Sequence, residues 1–203
     1  MTSSGNPVGV RAAGVLLAAG AGRRFGRPKA LVELDGQTLA ARGVQLLRAG
    51  GCDPILVVEG AAPLRQELPA DVWIVPNPDW GTGMGSSLRV GLRALTASAP
   101  AEVAAAVVVL VDQPWVVPEA VIAVRAGFDP DRIVLADYPA PAGRSHPVVI
   151  PRPLWEPVAA TAHGDTGARS FMAAHPDLVT AVPCPGSPAD VDTPEQLLDP
   201  DRR

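Results

Sequence analysis

Four constellations in this chain could do chemistry, three of them pointing to phosphate or to the cations that accompany it and the fourth to the rest of a nucleotide. The first is a glycine-rich turn, Gly20-Ala21-Gly22, delivered by the apolar run 15–19 and followed by Arg23, Arg24 and Lys29. Glycine lets backbone amides approach a ligand closely. Amides backed by fixed positive charge make an anion cradle, for which a nucleotide's phosphates are a common occupant. The second is Asp112, which closes an apolar run and precedes Gln113-Pro114. A carboxylate at the rim of a parallel sheet, facing a phosphate loop, is placed to hold Mg²⁺; capping a turn is the alternative. The third is Asp190 and Asp192 in DVDTPEQL. Mg²⁺ is held by one or two carboxylates plus substrate phosphates, so a distant pair can converge on one ion, while either aspartate could instead cap a helix. The fourth is GMGSSL, 83–88, which reads as a base-and-ribose pocket or as a helix start with Ser86 or Ser87 as N-cap.

Several familiar sites are absent from the sequence. There is no G-x-x-x-x-G-K-[ST], so no Walker-type loop. The glycines are spaced G-x-G-x-x-x-G, and Pro28 disfavours a helix at Arg27, so no dinucleotide-type helix follows the turn directly. The acidic residue of a dinucleotide site is also misplaced: Glu33 and Asp35 come too early and Glu59 too late. No G-x-S-x-G and no Ser, His and Asp set at hydrolase spacing occurs.

These residues need elements to position them. The run 15–19 reads as a first strand, apolar on both faces as a buried parallel strand is. Residues 31–36 read as a short strand and turn, and Thr38 as the cap of a helix that stops at Gly50-Gly51. Strands follow at 55–58, 72–75, 104–111 and 133–136, with helical stretches at 63–68 and 88–95 and one opening at Pro118. Beyond 136 the pattern loosens, leaving a helix over 152–160, a loop 163–169, a helix 169–174, a strand 178–182 and a helix start at Thr193-Pro194-Glu195. Alternating strands and helices imply right-handed crossovers and a three-layer α/β/α sandwich on a mostly parallel, Rossmann-like sheet. Ligands of such sheets bind beyond the carboxyl ends of the strands, where 20–29, 76–87 and Asp112 all fall.

With 203 residues, 47% of them hydrophobic, the chain suits one well-buried domain over 11–203 behind a flexible lead, 1–10. Its nucleotide half is expected at about 11–115 and its acceptor half at about 116–203. A net charge of −4 gives no global attraction to nucleic acid or anionic membrane, so a phosphate ligand must be held by local charge. Cys52 and Cys184 have no ligand spacing, which points to buried thiols in a reducing cytoplasm. The apolar stretch before Arg23-Arg24 is broken by glycine and has its arginines on the wrong side for a twin-arginine signal; no run reaches the ~20 residues needed to span a bilayer.

The order L-A-A-G-x-G-x-R-x-G-x-x-K, 17–29, resembles the opening signature of the MobA-like nucleotidyltransferases, nearest to their molybdenum cofactor cytidylyltransferase group. DQP (112–114), D-V-D-T-P-E (190–195), GMGSSL and HGDTGAR (163–169) resemble further motifs of that family, and RSHPVVI (144–150) its G-H-P segment with Ser145 in place of glycine. Phe25 replaces a frequent methionine, and Gln196 departs from the pattern at a peripheral position. The fold implied is the GT-A-like nucleotidyltransferase fold. The loop would wrap a triphosphate neutralised by Arg24 and Lys29, with Leu17, Ala18, Ala19, Gly20, Gly22, Gly85, Ser86 and Ser87 completing the nucleotide site. Asp112 and Asp192, favoured over Asp190, would hold Mg²⁺. His146, Asp165 and Arg169 are the implied acceptor contacts, although a histidine before proline is commonly structural and 163–169 also reads as an ordinary loop.

The resemblance therefore implies transfer of CMP from CTP to the molybdopterin form of the molybdenum cofactor, a phosphate-bearing pterin, with release of pyrophosphate. Ala19 in L-A-A-G points toward cytosine over guanine. A molybdenum enzyme receiving the product is an implied partner; nucleic acid and membrane are not. The rivals are a guanylyltransferase of the same fold (with a molybdenum cofactor or phospholactate-type acceptor), an NAD(P)-dependent oxidoreductase with Glu59 on the ribose, and a binding module that delivers a cofactor.

Overall fold

In the computed structural model, residues 10–199 are described, and the flexible lead expected at 1–10 falls almost wholly outside them. The elements in chain order are β1 (Ala12–Leu17), β2 (Glu33–Leu34), β3 (Gln37–Thr38), α1 (Leu39–Ala49), β4 (Ile55–Glu59), β5 (Trp73–Pro76), α2 (Met84–Ser98), β6 (Ala105–Leu110) and α3 (Pro118–Ala126). They continue with β7 (Ile133–Tyr138), β8 (Gly143–Pro151), α4 (Trp155–Thr161), α5 (Arg169–Ala174), β9 (Val179–Pro183) and α6 (Pro194–Leu198). One seven-stranded sheet has the order β5-β4-β1-β6-β8-β7-β9, and β2 and β3 form a separate hairpin. Every pairing in the large sheet is parallel except those of β8, which lies antiparallel between β6 and β7.

The central strands read as unbroken apolar runs because both faces are covered. Alternate residues of β1 serve opposite layers: Ala12 and Leu16 face the layer of α1 and α3, Ala13, Val15 and Leu17 that of α2 and α4. Gly14 has no side chain because a Cβ there would stand 3.0 Å from Leu47. Helix α1 starts as its sequence dictates, with Thr38 Oγ1 accepting from Ala41 N at 3.2 Å. The three-layer, mostly parallel sandwich is thus the observed architecture.

Three local expectations are revised, and one strand was not anticipated. β1 spans Ala12–Leu17, not 15–19, so Ala18 and Ala19 already belong to the turn. Residues 63–68 form turns, not a helix: Leu64 and Leu68 are buried, and Leu64 N donates to Glu59 Oε2 at 2.7 Å. Helix α2 begins at Met84 instead of Leu88, with Gly83 at the cap position, so Ser86 and Ser87 lie in the first turn and neither is the N-cap. β8 was hidden because its two halves obey different demands. Val148 to Ile150 are core residues facing β6, whereas Arg144, Ser145 and His146 extend past the carboxyl end of β6 and turn polar there.

Candidate active site

The parallel strands β4, β1 and β6 end at one edge of the sheet, and the glycine turn that follows β1 sits there. Gly22 adopts φ +59°, and a Cβ on it would stand 2.1 Å from Arg27 O, so the turn closes only around glycine. Phe25 N donates to Gly22 O at 2.8 Å, and after Pro28 a short 3₁₀ turn, Lys29–Leu31, points Lys29 back beneath the loop.

Asp112 lies just beyond β6. Its carbonyl accepts from Val191 N at 2.8 Å, which lays the C-terminal segment against the end of that strand. Asp192 follows at once. Gln196, at the third position of α6, accepts from Asp192 N at 2.7 Å and Thr193 N at 3.2 Å, completing a capping box that fixes the backbone under the carboxylate. Gln113 ties the same segment from the other side, its Nε2 donating to Pro188 O at 2.8 Å.

The result is a charge cluster assembled from three parts of the chain. Lys29 Nζ donates to Asp112 Oδ2 at 3.0 Å and to Asp192 Oδ1 at 2.6 Å, while Arg24 Nη2 lies 2.7 Å from Asp192 Oδ2. Lys29 is 13% exposed and Arg24 73%, so the lysine is a buried charge and the arginine reaches Asp192 from the solvent side. Burial works against the Lys29 ammonium, but the carboxylates, Asp112 first, outweigh it and raise its pKa above the ordinary value. The hydrogen bond from Lys29 is the main cause of the lowered pKa of Asp192.

A cleft of about 480 Å³ opens over this cluster. Leu17, Ala19, Gly20, Gly22, Arg24 and Lys29 line it on one side, Trp80 and Ser87 on another, and Asp112, Asp192 and Asp165 close it. Ala18 is buried behind the loop and donates through its N–H to Val58 O at 3.0 Å. Gly85 and Ser86 do not line the cleft. Ser86 Oγ accepts from Asn77 Nδ2 at 2.9 Å and donates toward Gly83 O or Asp79 O, and a Cβ on Gly85 would stand 2.5 Å from His163 N. Gly83 and Gly85 thus allow the loop 163–167 to dock on the start of α2, where Gly85 N donates to Gly164 O at 2.8 Å, and this docking carries Asp165 to the cleft.

A second, smaller cavity of about 200 Å³ adjoins the first and shares Leu17 and Met84 with it. His146 and Arg169 face this one, so the three expected acceptor residues are divided between neighbouring cavities. Burial, then the charge of Arg169, lowers the His146 pKa to about 4, leaving the ring neutral at pH 7. Glu59 does not line the first cleft, and its carboxylate accepts from Leu64 N, a structural use that leaves the expected ribose contact without support.

Sequence reasoning missed three organisers. Asn77, 1% exposed, bonds both Ser86 and Ser87 and so fixes the wall beside Trp80; its signal was an asparagine locked between two prolines at a strand end. Gln113 and Gln196 position the aspartate segments, and the capping-box spacing from Thr193 to Gln196 was the readable sign of the latter.

The donor set fits a divalent cation only with outside ligands. Two carboxylates already share one cationic group, the Lys29 ammonium, and their oxygens therefore lie within reach of one ion. Among the described residues no group of three or more His, Cys, Asp or Glu could hold a metal by itself, so a cation here would need further ligands from a bound substrate. No described helix is long and apolar enough to cross a membrane.

Comparison with known proteins places the chain among related sequences and folds. A protein of Paenarthrobacter nicotinovorans named nicotine blue oxidoreductase is 40% identical over 195 residues, covering 91% of this chain and 93% of that one. A probable molybdenum cofactor guanylyltransferase of Chloroflexus aggregans is 31% identical over 147 residues, 70% of this chain and 66% of its own length. The solved structure of Rv0371C from Mycobacterium tuberculosis H37Rv in complex with manganese superposes with a TM-score of 0.69 at 25% identity, covering 92% of this chain and 95% of that one. The MobA-like NTP transferase domain matches residues 14–179, and the chain belongs to that family.

Proposed function

We propose that this protein transfers CMP from CTP to a phosphate-bearing acceptor and releases pyrophosphate. The observation that carries this reading is Lys29 held between Asp112 and Asp192 beneath an amide-lined glycine turn. Both reactants are anions, so the barrier is dominated by repulsion and positioning, and catalysis comes from charge neutralisation and alignment. Lys29 and Arg24 stabilise the departing pyrophosphate. Asp112 and Asp192 would hold Mg²⁺, which when bound supplies Lewis-acid polarisation of the phosphoryl group. No side-chain base is needed, because a phosphate nucleophile is ionised near neutral pH. The choice of cytosine follows the L-A-A-G and GMGSSL resemblances, with guanine as the competing base. The molybdopterin form of the molybdenum cofactor is the acceptor that the resemblance implies, and a molybdenum enzyme would then receive the product. One domain, its nucleotide half at about 11–115, and a cytoplasmic location complete this reading.

A thermal-shift panel of CTP, GTP, ATP and UTP with and without Mg²⁺ tests it, followed by an assay of pyrophosphate release. CTP with Mg²⁺ is expected to give the largest shift; a GTP preference replaces cytidylyl by guanylyl transfer, and no nucleotide response in any arm removes the transferase reading.

A second reading, an NAD(P)-dependent oxidoreductase, is favoured by the 40% identity to a relative named as an oxidoreductase over 93% of its length. It lacks a ribose carboxylate, since Glu59 is engaged with Leu64 N. Binding of NADH without metal, together with its oxidation by a co-substrate, would put this reading first.

A further inference from the structure

The second cavity differs in chemistry from the cleft beside it. Its floor is made by buried aliphatic side chains, Leu17, Leu88, Val108, Leu135, Val148 and Ile150, and Met84 and Met172 add two thioethers. Its polar residues stand at the rim: Arg144, Thr166 and Arg169 are exposed, and Ser145 and His146 half-buried. No carboxylate lines it among the described residues. The half-buried His146 is neutral at pH 7, so the positive charge of the rim comes from Arg144 and Arg169. At about 200 Å³ the space lies below the ~300–1,000 Å³ typical of drug-sized ligand pockets.

We propose that this cavity seats the body of the second substrate and selects a compact aromatic ring system bearing an anionic group. The inference rests on the reading of the larger cleft as the nucleotide site, and it sets another acceptor class in place of the pterin that the resemblance implies. A pterin ring carries several hydrogen-bond donors and acceptors, and a floor of leucine, valine and isoleucine would leave them unpaired on burial, which is costly. A hydrocarbon ring loses nothing there. Methionines accommodate flat rings and make favourable sulfur–aromatic contacts, and arginine guanidinium groups both stack on ring faces and pair with anions. Leu17 and Met84 line both spaces, so a body seated here lies directly beside the cleft read as the nucleotide site.

The test is calorimetric titration of the full chain at pH 7.5 with three probes, 1-naphthyl phosphate, 6-carboxypterin and inorganic phosphate, alongside CTP with Mg²⁺. The naphthyl compound is expected to bind at least tenfold tighter than either other probe. Val148→Phe, which fills the floor, and Arg169→Ala, an exposed change that does not burden folding, should each weaken it by fivefold or more. Circular dichroism confirms that both variants are folded. Equal or tighter binding of 6-carboxypterin, or an unchanged naphthyl affinity in Arg169→Ala, overturns the proposal. If CTP binds while the naphthyl compound shows no preference, the fault lies with this inference. If the naphthyl preference holds while CTP with Mg²⁺ fails to bind, the pocket chemistry stands and the nucleotide reading fails.

Discussion

Lys29 is the residue on which the proposed chemistry converges, because its ammonium occupies the place where two carboxylates meet. A triphosphate arriving over the glycine turn offers that ammonium a stronger partner, which would leave Asp112 and Asp192 free to take a metal. Lys29→Ala should therefore lower turnover by on the order of 10² or more, comparable to losing a charge-stabilising donor in other enzymes; a steady-state assay showing a tenfold loss or less would reduce it to a structural ion pair. Asp112→Asn should abolish metal-dependent turnover while leaving the melting temperature nearly unchanged, since the side chain is 28% exposed and serves the cleft more than the core. His146 gives a separate test. Its folded pKa of about 4 lies below the ordinary 6.5, so the neutral ring is the form the fold accepts. Above 6.5 there is no cost; as pH falls from 6.5 toward 4 the unfolded chain binds a proton that the folded one refuses, and stability drops. Denaturant titrations should show this slope in wild type and a flatter profile in His146→Asn.

At the scale of elements, the site depends on turns that permit close approach and caps that fix direction. Gly22→Ala should disable the nucleotide loop, because the added methyl meets Arg27 O and the backbone sits at positive φ; loss of CTP binding with the sheet intact by circular dichroism is the expected result. Gln196→Ala removes two acceptor contacts at the start of α6 and should cost about 1 kcal/mol, within the range for lost caps, and weaken metal binding further by loosening Asp192. The elements that were legible in the sequence are those whose pattern reflects a single environment, such as the apolar run of β6 and the Thr38 cap of α1. β8 was not, since its core half and its site half follow different rules and two prolines interrupt it. The start of α2 was missed for a related reason: glycines that serve the docking of 163–167 look like loop residues. Gln196 seemed peripheral when weighed only against the family pattern, although the helix start at Thr193-Pro194 and the capping-box spacing to Gln196 were readable in the sequence.

In the molecule as a whole, one sheet brings residues 24–29, 112 and 192 together at the carboxyl ends of its parallel strands, and the antiparallel β8 adds a second, apolar cavity beside them. The meeting of Lys29, Asp112 and Asp192 was legible from the resemblance, since spacing alone left Asp192 as a helix cap; the division of the expected acceptor residues between two cavities was not, because it depends on how a loop and a strand end fold against α2. Net charge is −4, so attraction for the proposed nucleotide has to come from the local cations Arg23, Arg24 and Lys29, and added salt should weaken nucleotide binding only modestly where Lys29 is screened from solvent. The most direct measurement is the calorimetric affinity for CTP with and without Mg²⁺, in wild type and in Asp192→Asn. Mg²⁺ is expected to tighten CTP at least tenfold in wild type and to have little effect in the variant. Equal affinities with and without the metal in wild type, or the same tenfold gain in Asp192→Asn, would contradict a site built around these two aspartates and Lys29.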